Sequence, residues 1–332
     1  PREMTMTDNR REPVVLQGVS SRAWEHPADR GALVALRELK GFDILVRKFA
    51  GFVKKREVRL MFLGGAIRVD RHQYARVHEE YLRVASVLDV ADPPELYVTR
   101  NPDLGGLTIG IDKPIVSITS GSVQMLDDEE LRFLLAHELG HAESGHALYR
   151  TMLLWIIRLA SSLSWVPVGA VALRVILAAL YEWQRKSELS ADRAGLLAVQ
   201  NPAAAIRVMA RLAGGGDLSE IDTAAFLKQA KDFEAGGDML DSVLKLTLME
   251  SMTHDFPVER AAALQHWVDE GGYRDILAGD YPRRSEDGEV PLGEEAKAAA
   301  RHYKEAFSRS EDPLASMVRR FKDRVAPGAS DN

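Results

Sequence analysis

The segment Leu134-Leu135-Ala136-His137-Glu138-Leu139-Gly140-His141 constrains this chain more than any other. It lies inside a helical pattern, and on a helix residues four apart share one face. His137 and His141 can then reach a single cation from one rigid element, with Glu138 projecting beside them. Composition alone would produce about 0.02 copies of this pattern, so it reads as a metal-ligand pair with an acid–base carboxylate. A catalytic ion of this kind takes three protein ligands and keeps one position open. The helix supplies two, so the fold must press a second segment against it.

Composition narrows what that segment can be. The 332 residues include no cysteine, which excludes thiolate sites, iron–sulfur clusters, disulfide frameworks and cysteine nucleophiles. The third ligand is therefore His, Asp or Glu. Continuing the helix to a third histidine would need Gly three residues past His141 and His six past it, where the chain has Ser144 and Ala147. The other solution is a glutamate from a later helix, with an aspartate one turn on to brace a ligand imidazole. Three Glu-x-x-x-Asp pairs occur where about two are expected by chance. Glu25 with Asp29 precedes the core beside Pro27, and Glu234 with Asp238 spans Gly236-Gly237, a poor helix interior. Glu188 with Asp192 sits in a strongly helical, small-residue stretch, which makes Glu188 the third ligand and Asp192 its neighbour's hydrogen-bond acceptor. His146 is about half a turn out of phase with His137 and reads as structural.

His137-Glu138-Leu139-Gly140-His141 together with Glu188-Leu189-Ser190-Ala191-Asp192-Arg193 resembles the HtpX and CAAX prenyl protease family of gluzincin zinc metallopeptidases. Thr253-His254-Asp255-Phe256-Pro257-Val258-Glu259-Arg260 is similar to that family's downstream Thr-His-Pro segment, with Asp255 in place of the proline. Gly105-Gly106-Leu107-Thr108-Ile109-Gly110 stands where the family has an edge strand, without its Asn and Ala. The resemblance implies one Zn2+ per chain, held by His137, His141 and Glu188. It implies Glu138 as the catalytic base and His254 as a second catalytic group facing the oxyanion. Arg260 would order the loop near Asp192 or Glu138, and Leu107, Thr108 and Ile109 would bind substrate as an added strand. The activity implied is endoproteolysis of unfolded or flexible polypeptide. The alternative is a catalytically latent metal-binding interaction protein at a membrane surface.

The fold class expected is α+β, predominantly helical and zincin-like, with a small β-sheet beside the His-Glu-x-x-His helix. Residues 1–30 read as a flexible leader, 31–281 as the metallopeptidase domain, and 282–332 as a polar linker with a charged helical tail. Short strands are expected near 96–99, 107–109 and 115–118, and a hairpin over 58–69 that turns at Gly64-Gly65. An apolar helical hairpin, 149–181, broken at 164–169, is inserted between the ligand helices. Its longest uncharged run, 159–173, falls short of the roughly 20 residues a membrane-spanning helix needs. It reads instead as a surface for peripheral membrane contact or for self-association. With 43 basic against 49 acidic residues, net −6, the chain lacks the basic excess of a nucleic-acid binder. Residues 1–13 are polar and charged and lack the apolar stretch a signal peptide needs, so export by that route is not expected. The expected location is cytoplasmic, with peripheral association at the inner face of the membrane.

Overall fold

The structure, a computed structural model, describes residues 12–37, 42, 46, 49, 55–111, 113–158, 170–215, 217–235 and 256–287. Its elements in chain order are α1 (Pro27–Arg37), α2 (Lys55–Gly65), β1 (Ala66–Arg68), α3 (Ala75–Val87), β2 (Glu95–Thr99), β3 (Gly106–Ile109), β4 (Ile115–Thr119), α4 (Ser120–Met125) and α5 (Asp128–Glu143). There follow α6 (Ala147–Arg158), α7 (Ala170–Val199), α8 (Pro202–Gly214), α9 (Thr223–Ala235), α10 (Pro257–Asp269) and α11 (Gly272–Leu277). Helices dominate, and the four strands form one mixed sheet in the order β1-β2-β4-β3. The β2–β4 pair is parallel and the two outer pairs are antiparallel, with Thr108 opposite Val116 in the β3–β4 register.

The His-bearing helix is α5, and its start is strongly specified. The Asp127 side chain accepts from the Glu130 N–H, and the Glu130 carboxylate accepts from the Asp127 N–H, a reciprocal cap. Glu130 is fully buried, and Arg207 and Arg211 of α8 reach it at 3.1 and 3.0 Å. Further along, α5 meets α7 through a seam of small residues. A Cβ at Gly140 would stand 2.6 Å from Cβ of Ala194, and one at Gly195 would stand 2.8 Å from the Phe133 ring. Only glycine lets the two backbones approach this closely, and that approach brings Glu188 to the histidines.

Two apolar clusters support this pair of helices. One joins Leu131, Leu135 and Leu139 of α5 to Val84 and Leu88, Val116 and Ile118, Leu196 and Leu197, and Val208 and Met209. The other joins Ile109 and Ile115 to Met152 and Ile156 of α6, Leu180 and Trp183 of α7, and Val58 and Phe62 of α2.

The structure departs from the sequence expectations in several places. The 58–69 hairpin is instead helix α2, followed by a three-residue strand. Val58 and Phe62, four apart, are buried while Leu60, Met61 and Leu63 are exposed, so helical periodicity wins over β-propensity. The segment expected to be a flexible leader packs against the core from Leu16 onward. Leu16, Val19 and Trp24 are fully buried, and the Leu16 N–H donates to Val87 O at 2.8 Å. The C-terminal arm of the apolar hairpin continues without interruption into the ligand helix as α7. The expected break at 164–169, Asp238 and the tail beyond 287 lie outside the described residues. No described helix is long and apolar enough to cross a membrane.

Candidate metal centre

His137 and His141 of α5 and Glu188 of α7 converge, with one ligand atom from each lying within 4.8 Å of the others. Glu188 faces both rings, with Oε2 at 3.4 Å from His137 Nε2 and Oε1 at 3.3 Å from His141 Nε2. A tetrahedral ion with bonds of about 2.0–2.2 Å spaces its ligand atoms roughly 3.4 Å apart, so these separations fit such an ion. His141 Nε2 is buried and has no hydrogen-bond partner among the described residues, as expected of a nitrogen whose lone pair is reserved for a metal. Two imidazoles and one carboxylate, all buried, therefore form a complete protein ligand set.

The surrounding side chains hold the ligands in place. Asp192, one turn beyond Glu188, stands 2.9 Å from His137 Nδ1. Arg260 of α10 grips Asp192 with two hydrogen bonds, Nε to Oδ2 at 2.8 Å and Nη2 to Oδ1 at 2.6 Å. Its Nη1 also lies 3.4 Å from Glu188 Oε2. Burial would raise the Asp192 carboxyl, but Arg260 and His137 outweigh it and hold the group below its ordinary value. Burial likewise opposes charge on His137, yet Asp192 and Glu188 push its pKa up to about 9. Burial and the Arg150 guanidinium keep His141 well below its usual range.

Glu138 points from the same helix toward strand β3. Thr108 Oγ1 donates to its Oε2 at 2.7 Å and lies 2.8 Å from its backbone carbonyl. The strand crosses so near that a Cβ at Gly106 would stand 2.7 Å from the Glu138 side chain. Arg150 of α6 is buried, with Nη1 at 3.7 Å from Glu138 Oε2 and Nη2 at 4.0 Å from Glu188 Oε1.

His137, Glu138, His141, Glu188, Asp192 and Arg260 are thus brought together. Thr108 joins them through Glu138, whereas the neighbouring Ile109 is buried in the core and Leu107 is half-buried beside it. His254 lies outside the described residues. Sequence reasoning missed Arg150, whose spacing from the motif carries no signal. It also missed Gln184, one turn before Glu188, which donates to Glu188 Oε1 at 2.9 Å. His146 is not a ligand, in keeping with its phase, but it stands against the back of His141, 2.9 Å from its Nδ1.

A helix bearing His-Glu-x-x-His, a glutamate ligand from a later helix and a strand laid over the first glutamate define a zincin-like metallopeptidase. The chain belongs to peptidase family M48, whose sequence profile matches residues 71–268, and it is a peptide hydrolase. It is 27% identical over 271 residues to Plastoglobule-localized metallopeptidase 48, chloroplastic, of Arabidopsis thaliana, covering 80% of this chain and 78% of that protein. It is 26% identical over 182 residues to the Protease HtpX homolog of Tropheryma whipplei, covering 46% of this chain and 62% of that protein. The Protease HtpX homolog of Bacillus velezensis is 22% identical over 209 residues, covering 54% of this chain and 69% of that protein. No solved structure matches the chain significantly.

Proposed function

We propose that the ion is zinc, one per chain, and that the enzyme is an endopeptidase acting on unfolded or flexible polypeptide. The observation that carries this reading is Glu138, buried and hydrogen-bonded beside a ligand set of two imidazoles and one carboxylate. Bound zinc would supply Lewis acidity toward water and the scissile carbonyl. Glu138, steadied by Thr108, takes the proton of the attacking water and delivers it to the leaving amine. Arg150 places a fixed positive charge beside Glu138, and its buried Nη1 has no hydrogen-bond partner among the described residues. It can therefore stabilise negative charge developing on the substrate. His254 is assigned the second donor to that oxyanion, and Arg260 ties its helix to Asp192.

Strand β3 pairs with β4 alone among the described strands. Its other edge is assigned to an extended substrate, which would join Leu107, Thr108 and Ile109 through main-chain hydrogen bonds. Recognition through backbone suits polypeptide that can extend. Peripheral contact with a membrane surface is assigned to the α6 arm, whose Leu154 and Ile157 are exposed. It agrees with the plastoglobule location in the name of the Arabidopsis protein. Flotation with anionic liposomes tests it: equal binding by the wild type and a Leu154→Asp, Ile157→Asp variant rejects that surface.

The decisive test of the catalytic reading is Glu138→Gln. Metal analysis is expected to find one zinc per chain in both proteins, and casein hydrolysis only in the wild type. Cleavage that survives the substitution rejects the assignment of Glu138.

A further inference from the structure

Across the His141 ring from the ligand group runs a second chain of polar side chains. His141 Nδ1 lies 2.9 Å from His146 Nδ1. His146 Nε2 lies 3.0 Å from Asp29 Oδ2. The same Asp29 oxygen accepts from Ser190 Oγ at 2.6 Å, and Ser190 Oγ accepts from the His26 N–H at 2.8 Å. Asp29, His141, His146 and Ser190 are all buried. Asp29 belongs to α1, far from the motif in sequence, and Ser190 belongs to α7, one turn of which also carries Glu188.

Two imidazole nitrogens at hydrogen-bond distance share one proton, and the ring that carries it decides what His141 presents to an ion. An ionised Asp29 is an acceptor only. Facing it, a neutral His146 carries its proton on Nε2, which leaves Nδ1 a lone pair. That lone pair accepts the His141 Nδ1–H, and His141 Nε2 is left free to bind metal. The opposite order would put the proton on His141 Nε2, 3.3 Å from Glu188 Oε1, and block the nitrogen that the ligand group needs. We propose that Asp29 and His146 set the tautomer of His141, which makes residues 26–29 part of the metal centre. The proposal rests on the reading that His141 is a ligand through Nε2. It gives His141 the positioning partner that Asp192 provides for His137.

The relay can be observed without metal or activity. Long-range 1H–15N NMR of metal-free, histidine-labelled full-length protein is expected to show His141 protonated at Nδ1 and His146 at Nε2. A proton on His141 Nε2 would overturn the proposal. Chelator competition with Zn2+ then tests its consequence. Asp29→Asn, which can donate to His146 and reverse the relay, is expected to weaken binding by about 10- to 100-fold. In His146→Asn the amide oxygen accepts from His141 without help, so adding Asp29→Asn there is expected to change affinity less than about twofold. Equal losses in the two backgrounds would mean that Asp29 merely props up the fold, which also overturns the relay. Expected tautomers with no zinc uptake by the wild type would support the relay and reject zinc as the ion. Zinc uptake with the wrong tautomer would do the reverse.

Discussion

Glu138 owes its position to Thr108 and Gly106, two residues of one strand. Replacing Thr108 by Val keeps its shape and removes the hydroxyl that donates to Glu138 Oε2 at 2.7 Å. A hydrogen bond to a charged group is worth about 1.5–3 kcal/mol, so kcat is expected to fall by about 10-fold or more. Metal content is expected to stay at the wild-type level, because none of the three ligands is touched. Steady-state kinetics beside metal analysis checks this, and a parallel loss of zinc would contradict it. Gly106→Ala acts at the same place by sterics, since its Cβ would stand 2.7 Å from the Glu138 side chain. It is expected to displace the carboxylate and lower kcat while zinc is retained. At this scale the sequence was legible where spacing along one helix makes the geometry. His137 and His141 are one turn apart, as are Glu188 and Asp192. Thr108 was placed near the site, but as a substrate contact; that its hydroxyl is taken up by Glu138 depends on how β3 crosses α5.

At the scale of elements, the centre is the crossing of α5 and α7. The ligand spacings of 3.3 and 3.4 Å exist only while Gly140 lies against Ala194. Gly140→Val is expected to force the helices apart, costing about 1–3 kcal/mol from overpacking. Urea unfolding of the metal-free protein and chelator competition are expected to show a loss of stability and of zinc affinity together. Stability lost with unchanged affinity would argue that Glu188 is not held by this seam. Where a short apolar run was bounded by turn residues, elements were legible: the strands expected near 96–99, 107–109 and 115–118 are β2, β3 and β4. The 58–69 segment was not. Its β-branched residues and paired glycines suggest a hairpin, and only contact with the Ile109 and Trp183 cluster selects the helical period.

For the whole molecule, the N-terminal segment and the metal both bear on stability. Truncation of residues 1–30 would remove Leu16, Val19 and Trp24 from the core and Asp29 from behind His146. Losing a large buried side chain costs about 2–5 kcal/mol, so the truncated protein is expected to be insoluble or unfolded by circular dichroism. A soluble, zinc-loaded truncation would return this segment to the status of a leader. Chelation is expected to lower the melting temperature reversibly. Ligand in thousandfold excess over Kd contributes about 4 kcal/mol to the folded state.

The sequence by itself determined the ligand types, the carboxylate that stands beside them and the two helices that carry them, because chemistry and helical phase are local properties. The three Glu-x-x-x-Asp pairs show where that stops. Local reasoning kept Glu188 with Asp192 and set aside Glu25 with Asp29 for lying before the core. The tertiary structure decided that Asp29 returns to the centre through His146, that Arg150 arrives from α6, and that Gly106 passes over Glu138. Each of these contacts joins segments distant along the chain, and such proximity is set by packing of the whole core rather than by spacing.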